Sequence, residues 1–265
     1  MHLLYRKDMQ FADTHTHLYM SDYGDGCGDA VRRAVGAGVT RLILPDVSST
    51  SRDDMFRLAS EFEGTAYPCI GLHPTELSGD WRHEADELMK YRDRPGIVAV
   101  GETGMDCHWN RDNVAVQEEV FRMQLDLALE LGLPVIVHNR DATELTLRIL
   151  GDYKGRGLRG VFHAFGGSIE TFRQIERLGD WYVGIGGVIT FRKASIAETV
   201  REIPLERILT ETDAPWLTPV PFRGTRNESS YIPYIVEKIA VQKGEDMEKV
   251  AETAWKNAHE LFRIS

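Results

Sequence analysis

The sequence predicts a single (β/α)8 barrel of the TIM type, with residues 1–265 forming one domain. Three observations predict it: strand-like apolar runs recur eight times, a helical stretch follows each run, and no linker or internal repeat interrupts the series. Strands that alternate with helices of this length form parallel βαβ units. Eight such units in a chain of about 250 residues are typical of a closed barrel rather than an open sheet.

The predicted strands are short runs rich in β-branched and aliphatic residues, which favour extended structure. They cover residues 11–17, 41–44, 66–72, 97–101, 135–138, 160–163, 182–185 and 207–211. The predicted helices show apolar residues three and four positions apart, which is the spacing of one helical face. They cover residues 29–37, 52–62, 82–91, 114–131, 142–150, 169–178, 195–203 and 231–243. A last helix at 247–262 lies outside the repeat, and we expect it on the outside or the floor of a regular or distorted barrel.

Net charge and cysteine content restrict the class of protein. The formal net charge is −10, which argues against a broad basic surface for long nucleic acids, so any anion site must be local. The cysteines Cys27, Cys69 and Cys107 form no C-x-x-C motif, which fits a reducing cytoplasm. The first ten residues hold only a short apolar cluster, and no later run reaches about 18 apolar residues, so we expect neither a secretion signal nor a membrane span.

The first predicted strand ends in the sequence Asp13-Thr14-His15-Thr16-His17. Because residues i and i+2 of a strand point to the same face, His15 and His17 can both point into the mouth of the barrel. An isolated H-x-H pair is a weak signal, since two histidines can simply bind each other or water. The pair therefore gains weight only from further candidate ligands.

Four further candidates occupy equivalent positions at the ends of other strands. Glu102, His138, His163 and Asp213 each follow directly where an apolar run stops. The carboxyl ends of barrel strands meet at one rim, where catalytic groups lie. The alternative, a solvated polar residue in a loop, would have to hold independently at every position, so the set favours one shared site.

The candidates provide four imidazoles and two carboxylates, a mixed nitrogen and oxygen set that suits Zn²⁺, Mn²⁺ or Mg²⁺. The set is too large for one tetrahedral ion, so we predict two divalent metal ions per chain. Two ions about 3.5 to 4 Å apart can position a bridging hydroxide and neutralise the attacked and leaving oxygens. Glu102, on the strand opposite His15 and His17, is the natural bridge between them.

Nine motifs are spread over nearly the whole chain. They are D-T-H-T-H at 13–17, G-L-H-P at 71–74, G-E-T-G-M-D at 101–106, the helix with Gln117, Phe121, Gln124 and Leu125, H-N-R-D-A at 138–142, H-A-F-G-G at 163–167, G-I-G-G-V-I-T at 184–190, E-T-D-A-P at 211–215 and R-G-T-R-N-E at 223–228. Together they resemble the TatD-type metal-dependent deoxyribonucleases of the amidohydrolase-like superfamily. Such a set is far more specific than any one short motif.

The resemblance implies a division of the ligands between two metals. One metal is held by His15, His17 and Asp213, the other by His138 and His163, and Glu102 bridges them. The resemblance also implies hydrolysis of phosphodiester bonds in DNA, typically from the end of a single strand. Some members of the superfamily bridge their metals with a carboxylated lysine at the end of the fourth strand, but here that strand ends in Glu102.

We therefore predict a cytoplasmic two-metal phosphodiesterase, a deoxyribonuclease acting on single-stranded DNA ends, with Asp213 and Glu102 as its catalytic carboxylates. Water activated by the metals would attack phosphorus, and Asp213 would accept its proton. Two alternatives stay open: an amide or lactone hydrolase of the same superfamily, and a non-catalytic metal-binding protein that docks a partner. The sequence does not distinguish DNA from RNA or a small phosphodiester, exonuclease from endonuclease action, the metal, or the oligomeric state.

Substrate contacts are predicted from cationic and aromatic residues in the rim segments. The cations are Arg140, Arg192, Lys193, Arg223 and Arg226, which would make a positive mouth suited to a strand end. His73 follows a strand run and is expected to touch the substrate, and a base could stack on Trp109, Phe165, Trp216 or Phe222. For each of them alone, a solvated charge, a loop histidine or an aromatic that covers the core is the alternative.

Overall fold

A computed structural model of the chain describes residues 9–77, 79–109 and 111–264. Parallel strands alternate with helices in it and form the predicted (β/α)8 barrel. The strands are β1 (Phe11–Asp13), β2 (Val39–Leu44), β3 (Ala66–Pro68), β4 (Val100–Asp106), β5 (Val135–Arg140), β6 (Gly160–Phe162), β7 (Trp181–Ile185) and β8 (Ile208–Thr210). The α-helices are α1 (Cys27–Gly36), α2 (Ser49–Glu61), α3 (Trp81–Met89), α4 (Val114–Leu131), α5 (Thr143–Gly151), α6 (Ile169–Glu176), α7 (Ile196–Glu202), α8 (Ile232–Lys243) and α9 (Met247–Phe262).

The barrel consists of two sheets rather than one continuous ladder. Strands β1 to β3 form a three-stranded sheet and strands β4 to β8 a five-stranded sheet. Isolated parallel bridges join them, Ile70 with Val100 at one seam and Thr16 with Ala214 at the other. We call these the β3/β4 seam and the β8/β1 seam. Each carries one of the two predicted metal-binding carboxylates.

The last helix closes the floor of the barrel. One residue from each strand, or from the position beside it, joins a single buried cluster: Ala12, Ile43, Cys69, Ala99, Ile136, Val161, Tyr182 and Leu209. Ala258, Leu261 and Phe262 of α9 complete this cluster from below. Val250 and Ala251, nearer the start of the same helix, join the larger core cluster together with α8, so α9 occupies both of the locations expected for it.

Several strand boundaries differ from those predicted, and β4 differs most. It runs from Val100 to Asp106 rather than over residues 97–101, so Glu102 lies inside the strand. The apolar pattern stops at Gly101, but backbone pairing with β5 continues, for example from Gly104 to His138. A side chain on Gly104 would place its Cβ 2.0 Å from the His138 carbonyl oxygen, so only glycine allows this close pairing.

No helix within the described ranges is long and apolar enough to cross a membrane. The expectation that the first ten residues carry no secretion signal falls largely on residues 1–8, which lie outside the described residues.

Candidate metal centre

The structure brings the six predicted ligands together at the carboxyl ends of the strands. His15 and His17 follow β1, Glu102 lies in β4, His138 in β5, His163 directly follows β6, and Asp213 follows β8. His15, His17, Glu102 and His163 are buried, whereas His138 and Asp213 are half-buried. The spacing of these residues along the barrel strands therefore produces one compact cluster.

Glu102 lies at the centre of this cluster, and its two carboxylate oxygens face different partners. Oε2 is 3.1 Å from Nε2 of His15 and 3.6 Å from Nε2 of His17. Oε1 is 2.8 Å from Nδ1 of His138 and 2.7 Å from Nε2 of His163. A carboxylate with this arrangement can serve two cations at once, one through each oxygen.

Asp213 completes the group on the Oε2 side. Its Oδ1 lies 3.7 Å from Nε2 of His15 and 3.8 Å from Nε2 of His17, and the two histidine nitrogens are 3.0 Å apart. The side chain reaches this position from a left-handed backbone conformation, with φ at 56°, which aspartate tolerates better than most residues. The Asp213 amide donates a hydrogen bond of 2.9 Å to the carbonyl oxygen of His15, which fixes the two segments together.

A second carboxylate, Asp106, orients His138 from behind. Oδ2 of Asp106 is 3.0 Å from Nε2 of His138, so the other ring nitrogen, Nδ1, is directed towards Glu102. Carboxylates that bind the remote nitrogen of a metal-binding histidine commonly fix its orientation and tautomer. Asp106 is not among the residues predicted from the sequence, because the apolar run of the fourth strand ends at Gly101. Continued alternation along β4 would have placed Glu102 and Asp106 on the same face.

Glu211 is a further buried carboxylate that the sequence reasoning did not assign. Its Oε1 accepts a hydrogen bond from the Ala164 amide and lies 3.9 Å from Nδ1 of His163. Burial raises the pKa of Glu211 to about 8. Gly184 leaves the room for this side chain, since a Cβ there would lie 1.9 Å from Oε2. Glu211 precedes Asp213 by two residues, and this i and i+2 spacing was the available signal.

His73 also joins the cluster, but its hydrogen bonds suit a donor better than a metal ligand. Its Nδ1 accepts a hydrogen bond from the Thr75 amide. A nitrogen that accepts carries no proton, so the neutral ring carries its proton on Nε2. This nitrogen lies 3.2 Å from Oε1 of Glu102. That His73 contacts substrate stays a prediction.

The electrostatics of the cluster fit divalent cations. Burial would raise the pKa of the Glu102 carboxyl, but the imidazoles of His163, His73 and His15 hold it well below its usual range. Burial and the nearby charge of Glu102 raise the pKa of Asp213 to about 7. The imidazoles of His17 and His138 lower this pKa only in part, and a cation between these nitrogen and oxygen donors would favour the ionised carboxylate further.

The predicted cationic residues lie around this rim and make different contacts. The guanidinium carbon of Arg140 is 5.3 Å from the centre of the Trp109 ring, and that of Arg223 is 4.1 Å from the Phe191 ring. Arg226 lies over Tyr23, with its guanidinium carbon 4.4 Å from the ring centre, so it is directed towards the segment after β1. Arg192 and Lys193 are exposed beyond β7.

Comparison with known proteins identifies the family of this chain. The family model described as TatD related DNase matches residues 12–263. The chain belongs to the TatD-related DNase family. It is 37% identical to the uncharacterized metal-dependent hydrolase YabD of Bacillus subtilis over 96% of this chain and 99% of that protein. It is 32% identical to the 3'-5' ssDNA/RNA exonuclease TatD of Citrobacter rodentium over 96% of this chain and 98% of that protein.

A solved TatD homologue, YjjV of Escherichia coli K12, has the same fold. It is 27% identical, superposes with a TM-score of 0.89, and the match covers 96% of this chain and 98% of that chain. These matches confirm the resemblance to TatD-type enzymes and the barrel fold. As a TatD-family protein, the chain is a metal-dependent hydrolase.

Proposed function

We propose that this TatD-family hydrolase cleaves phosphodiester bonds at single-stranded DNA ends with two divalent ions, Mg²⁺, Mn²⁺ or Zn²⁺. The observation that supports two ions is the division of contacts between the two oxygens of Glu102. His15, His17 and Asp213 would hold one ion, His138 and His163 the other, and Glu102 both. Three free cysteines favour a reducing compartment, so we propose that the enzyme acts in the cytoplasm.

Two divalent ions supply positive charge to the phosphate oxygens and lower the pKa of water towards neutrality. The remaining steps belong to the side chains. Asp213 carries a carboxylate beside the His15 and His17 nitrogens, where it can accept the proton of the attacking water. His73 directs its Nε2 proton towards the same cluster, where it can donate a hydrogen bond to a phosphate oxygen.

The choice of nucleic acid as substrate has two supports. The first is the name of the related Citrobacter rodentium protein, a 3'-5' ssDNA/RNA exonuclease. The second is the exposed set of arginines at the rim, including Arg140, Arg192 and Arg223, in a chain whose net charge is −10. A local positive mouth on an acidic protein suits a short stretch of a strand end better than a duplex laid across the surface.

A substrate panel tests the proposal. Protein loaded separately with Mg²⁺, Mn²⁺ or Zn²⁺ is assayed on single-stranded DNA labelled at either end, duplex DNA, RNA, a chromogenic phosphodiester, and a set of amides and lactones. We expect single-stranded DNA to give the highest kcat/KM and the label position to identify the end attacked. Faster turnover of an amide or lactone would replace the phosphodiesterase assignment. Loaded protein that hydrolyses none of the panel would indicate a metal-binding protein without catalysis.

A further inference from the structure

The four aromatic residues expected at the rim fall into two kinds. Phe165 is buried, and the Phe222 ring stacks on the Tyr231 ring with centroids 4.2 Å apart. Both are therefore occupied by contacts within the protein. Trp109 and Trp216, in contrast, are 67% and 48% exposed. Only these two of the four present a large part of their rings to a ligand.

Trp109 is held in place despite its exposure. Oδ1 of Asp106 accepts hydrogen bonds of 2.8 Å from the backbone amides of His108 and Trp109, while Oδ2 of the same carboxylate contacts His138. One carboxylate thus fixes both a cluster histidine and the turn that carries the indole. The Arg140 guanidinium lies over the indole ring, 5.3 Å from its centre, and the Trp109 residue nevertheless remains 67% exposed. This pairing suits a nucleotide, which offers a flat base and a phosphate together.

Trp216 is held on the other side of the cluster. Its backbone amide donates a hydrogen bond of 2.9 Å to the Asp213 carbonyl oxygen, and its own carbonyl oxygen accepts one from Nδ2 of the buried Asn227. The indole contacts the His17 ring edge to face, with centroids 5.4 Å apart. Trp216 therefore adjoins the His15, His17 and Asp213 group, whereas Trp109 is linked to His138 through Asp106.

We propose that Trp109 and Trp216 stack the two unpaired bases that flank the scissile phosphodiester, one on each side of the cluster. This inference rests on the proposed function and adds the reason for selecting single strands. Every base has an aromatic face, so stacking recognises nucleotides without reading their sequence. Bases inside a duplex are already stacked and paired, and each would have to be extracted before either indole could bind it.

The test measures whether each indole acts through a base. The variants are Trp109→Ala, Trp216→Ala, Trp109→Phe and Trp216→Phe. The control is Val241→Ala, which removes a side chain of 67% exposure from the outer helix α8. The parent substrate is a short oligothymidylate, in which the bond that the wild type cuts first is mapped. Two further substrates each replace one of the two nucleotides on either side of that bond by an abasic tetrahydrofuran.

For metal-loaded wild type, removal of either base should lower kcat/KM by about 5- to 150-fold, the range of one stacking contact. Each alanine variant should lower kcat/KM on the intact oligonucleotide by a similar factor and should show no further loss when the corresponding base is absent. The phenylalanine variants should retain most of the activity, because an aromatic face remains. The inference is overturned if removal of the base lowers kcat/KM of the corresponding alanine variant as much as it lowers that of the wild type. It is also overturned if the alanine variants have the same kcat/KM as the Val241→Ala control.

Measurements of binding distinguish a failure of the proposed stacking sites from a failure of the proposed function. The dissociation constant of each labelled oligonucleotide is measured by anisotropy with Ca²⁺ replacing the catalytic ion. Wild type should bind the intact oligonucleotide about 5- to 150-fold more tightly than the abasic forms, and the corresponding alanine variants should not discriminate. Base-dependent binding without DNA hydrolysis would refute the proposed function and retain the stacking sites. Equal affinity of wild type for intact and abasic forms, or no binding, would refute the stacking sites even if DNA were cleaved.

Discussion

At the β3/β4 seam, Glu102 adjoins a buried ion pair. At the β8/β1 seam, Asp213 lies near Asp13, a carboxylate whose hydrogen bonds within the described ranges come from hydroxyl and amide groups. Arg52 of α2 donates through Nε to Oδ2 of Asp46 at 2.6 Å and through Nη2 to the Gly71 carbonyl oxygen at 3.2 Å. The Asp46 carbonyl oxygen in turn accepts a hydrogen bond of 2.9 Å from the Glu102 amide. The ion pair therefore connects segments after β2 and β3 to the metal-binding position in β4.

At the β8/β1 seam, neutral donors make the corresponding connection. Oδ1 of Asp13 accepts a hydrogen bond of 2.9 Å from the Thr212 amide, and Oδ2 accepts one of 2.6 Å from the Thr212 hydroxyl. Nδ2 of Asn227 donates to the Thr212 carbonyl oxygen at 2.8 Å. Backbone hydrogen bonds cross each seam beside its isolated bridge, for example from the Gly101 amide to the Ile70 carbonyl oxygen and from the His17 amide to the Ala214 carbonyl oxygen. The side-chain networks add to these bonds. One seam depends on a buried charge pair and the other on neutral donors, which predicts different sensitivities to mutation.

The largest loss of metal and activity is expected for Glu102→Ala, because the two carboxylate oxygens of Glu102 face both groups of ligands. Metal should be lost from both positions, and hydrolysis with it. His163→Ala, which alters one group only, is the matched variant and should retain one ion. Elemental analysis of protein purified without chelator measures both. Two ions per chain in Glu102→Ala would contradict the bridging role.

The next largest effect is expected on turnover, from a substitution of Asp213 at the β8/β1 seam. Asp213→Asn retains a ligand oxygen and the shape of the side chain but removes most of its basicity. Turnover should therefore fall by roughly 10² to 10⁴, the usual range for a positioned base. Substrate affinity should change less, because the contribution is to proton transfer. Steady-state kinetics on single-stranded DNA measure both quantities. Near-normal turnover with full metal loading would assign the proton transfer to another group.

Arg52→Leu tests the ion pair of the β3/β4 seam. It leaves the Asp46 carboxylate buried without its cationic partner, so the free energy of unfolding should fall by about 3 to 5 kcal/mol. Urea unfolding of the metal-free proteins measures the change. Arg57→Ala on the same helix removes an exposed arginine and should leave the unfolding midpoint unchanged. If Arg52→Leu lowered the free energy of unfolding no more than Arg57→Ala does, the ion pair would contribute little to the stability of this seam.

Thr212→Val tests the neutral network of the β8/β1 seam and should have the smallest effect. It removes one hydroxyl donor from Asp13 but keeps the backbone donor, so the free energy of unfolding should fall by about 1 to 3 kcal/mol. The matched control is Thr253→Val on α9, whose hydroxyl bonds only the carbonyl oxygen of Lys249. The same urea titration compares the two. A loss in Thr212→Val larger than that in Arg52→Leu would reverse the ranking of the seams.

The sequence predicted the barrel and the positions of its candidate ligands because both depend on local pattern. Apolar runs reveal where buried strands lie, and polar residues directly after them fall at the rim. The ion pair was not predictable in this way. Arg52 and Arg57 both lie in α2, but only Arg52 is buried, and their difference arises from what each side chain meets in the folded barrel. Asp106 was missed because backbone pairing extends β4 beyond its apolar residues.

Helix α9 closes the floor of the barrel and thereby limits the routes by which nucleotides can enter and leave. The cluster of Ala258, Leu261 and Phe262 with the strand residues packs the lower end of the barrel, so a substrate reaches the candidate ligands from the upper rim. On the proposed function, a strand end that enters cannot continue through the barrel, and the released nucleotide must leave by the route that the remaining strand occupies. Release of product and advance of the strand then exclude one another, and free mononucleotide should compete with the DNA.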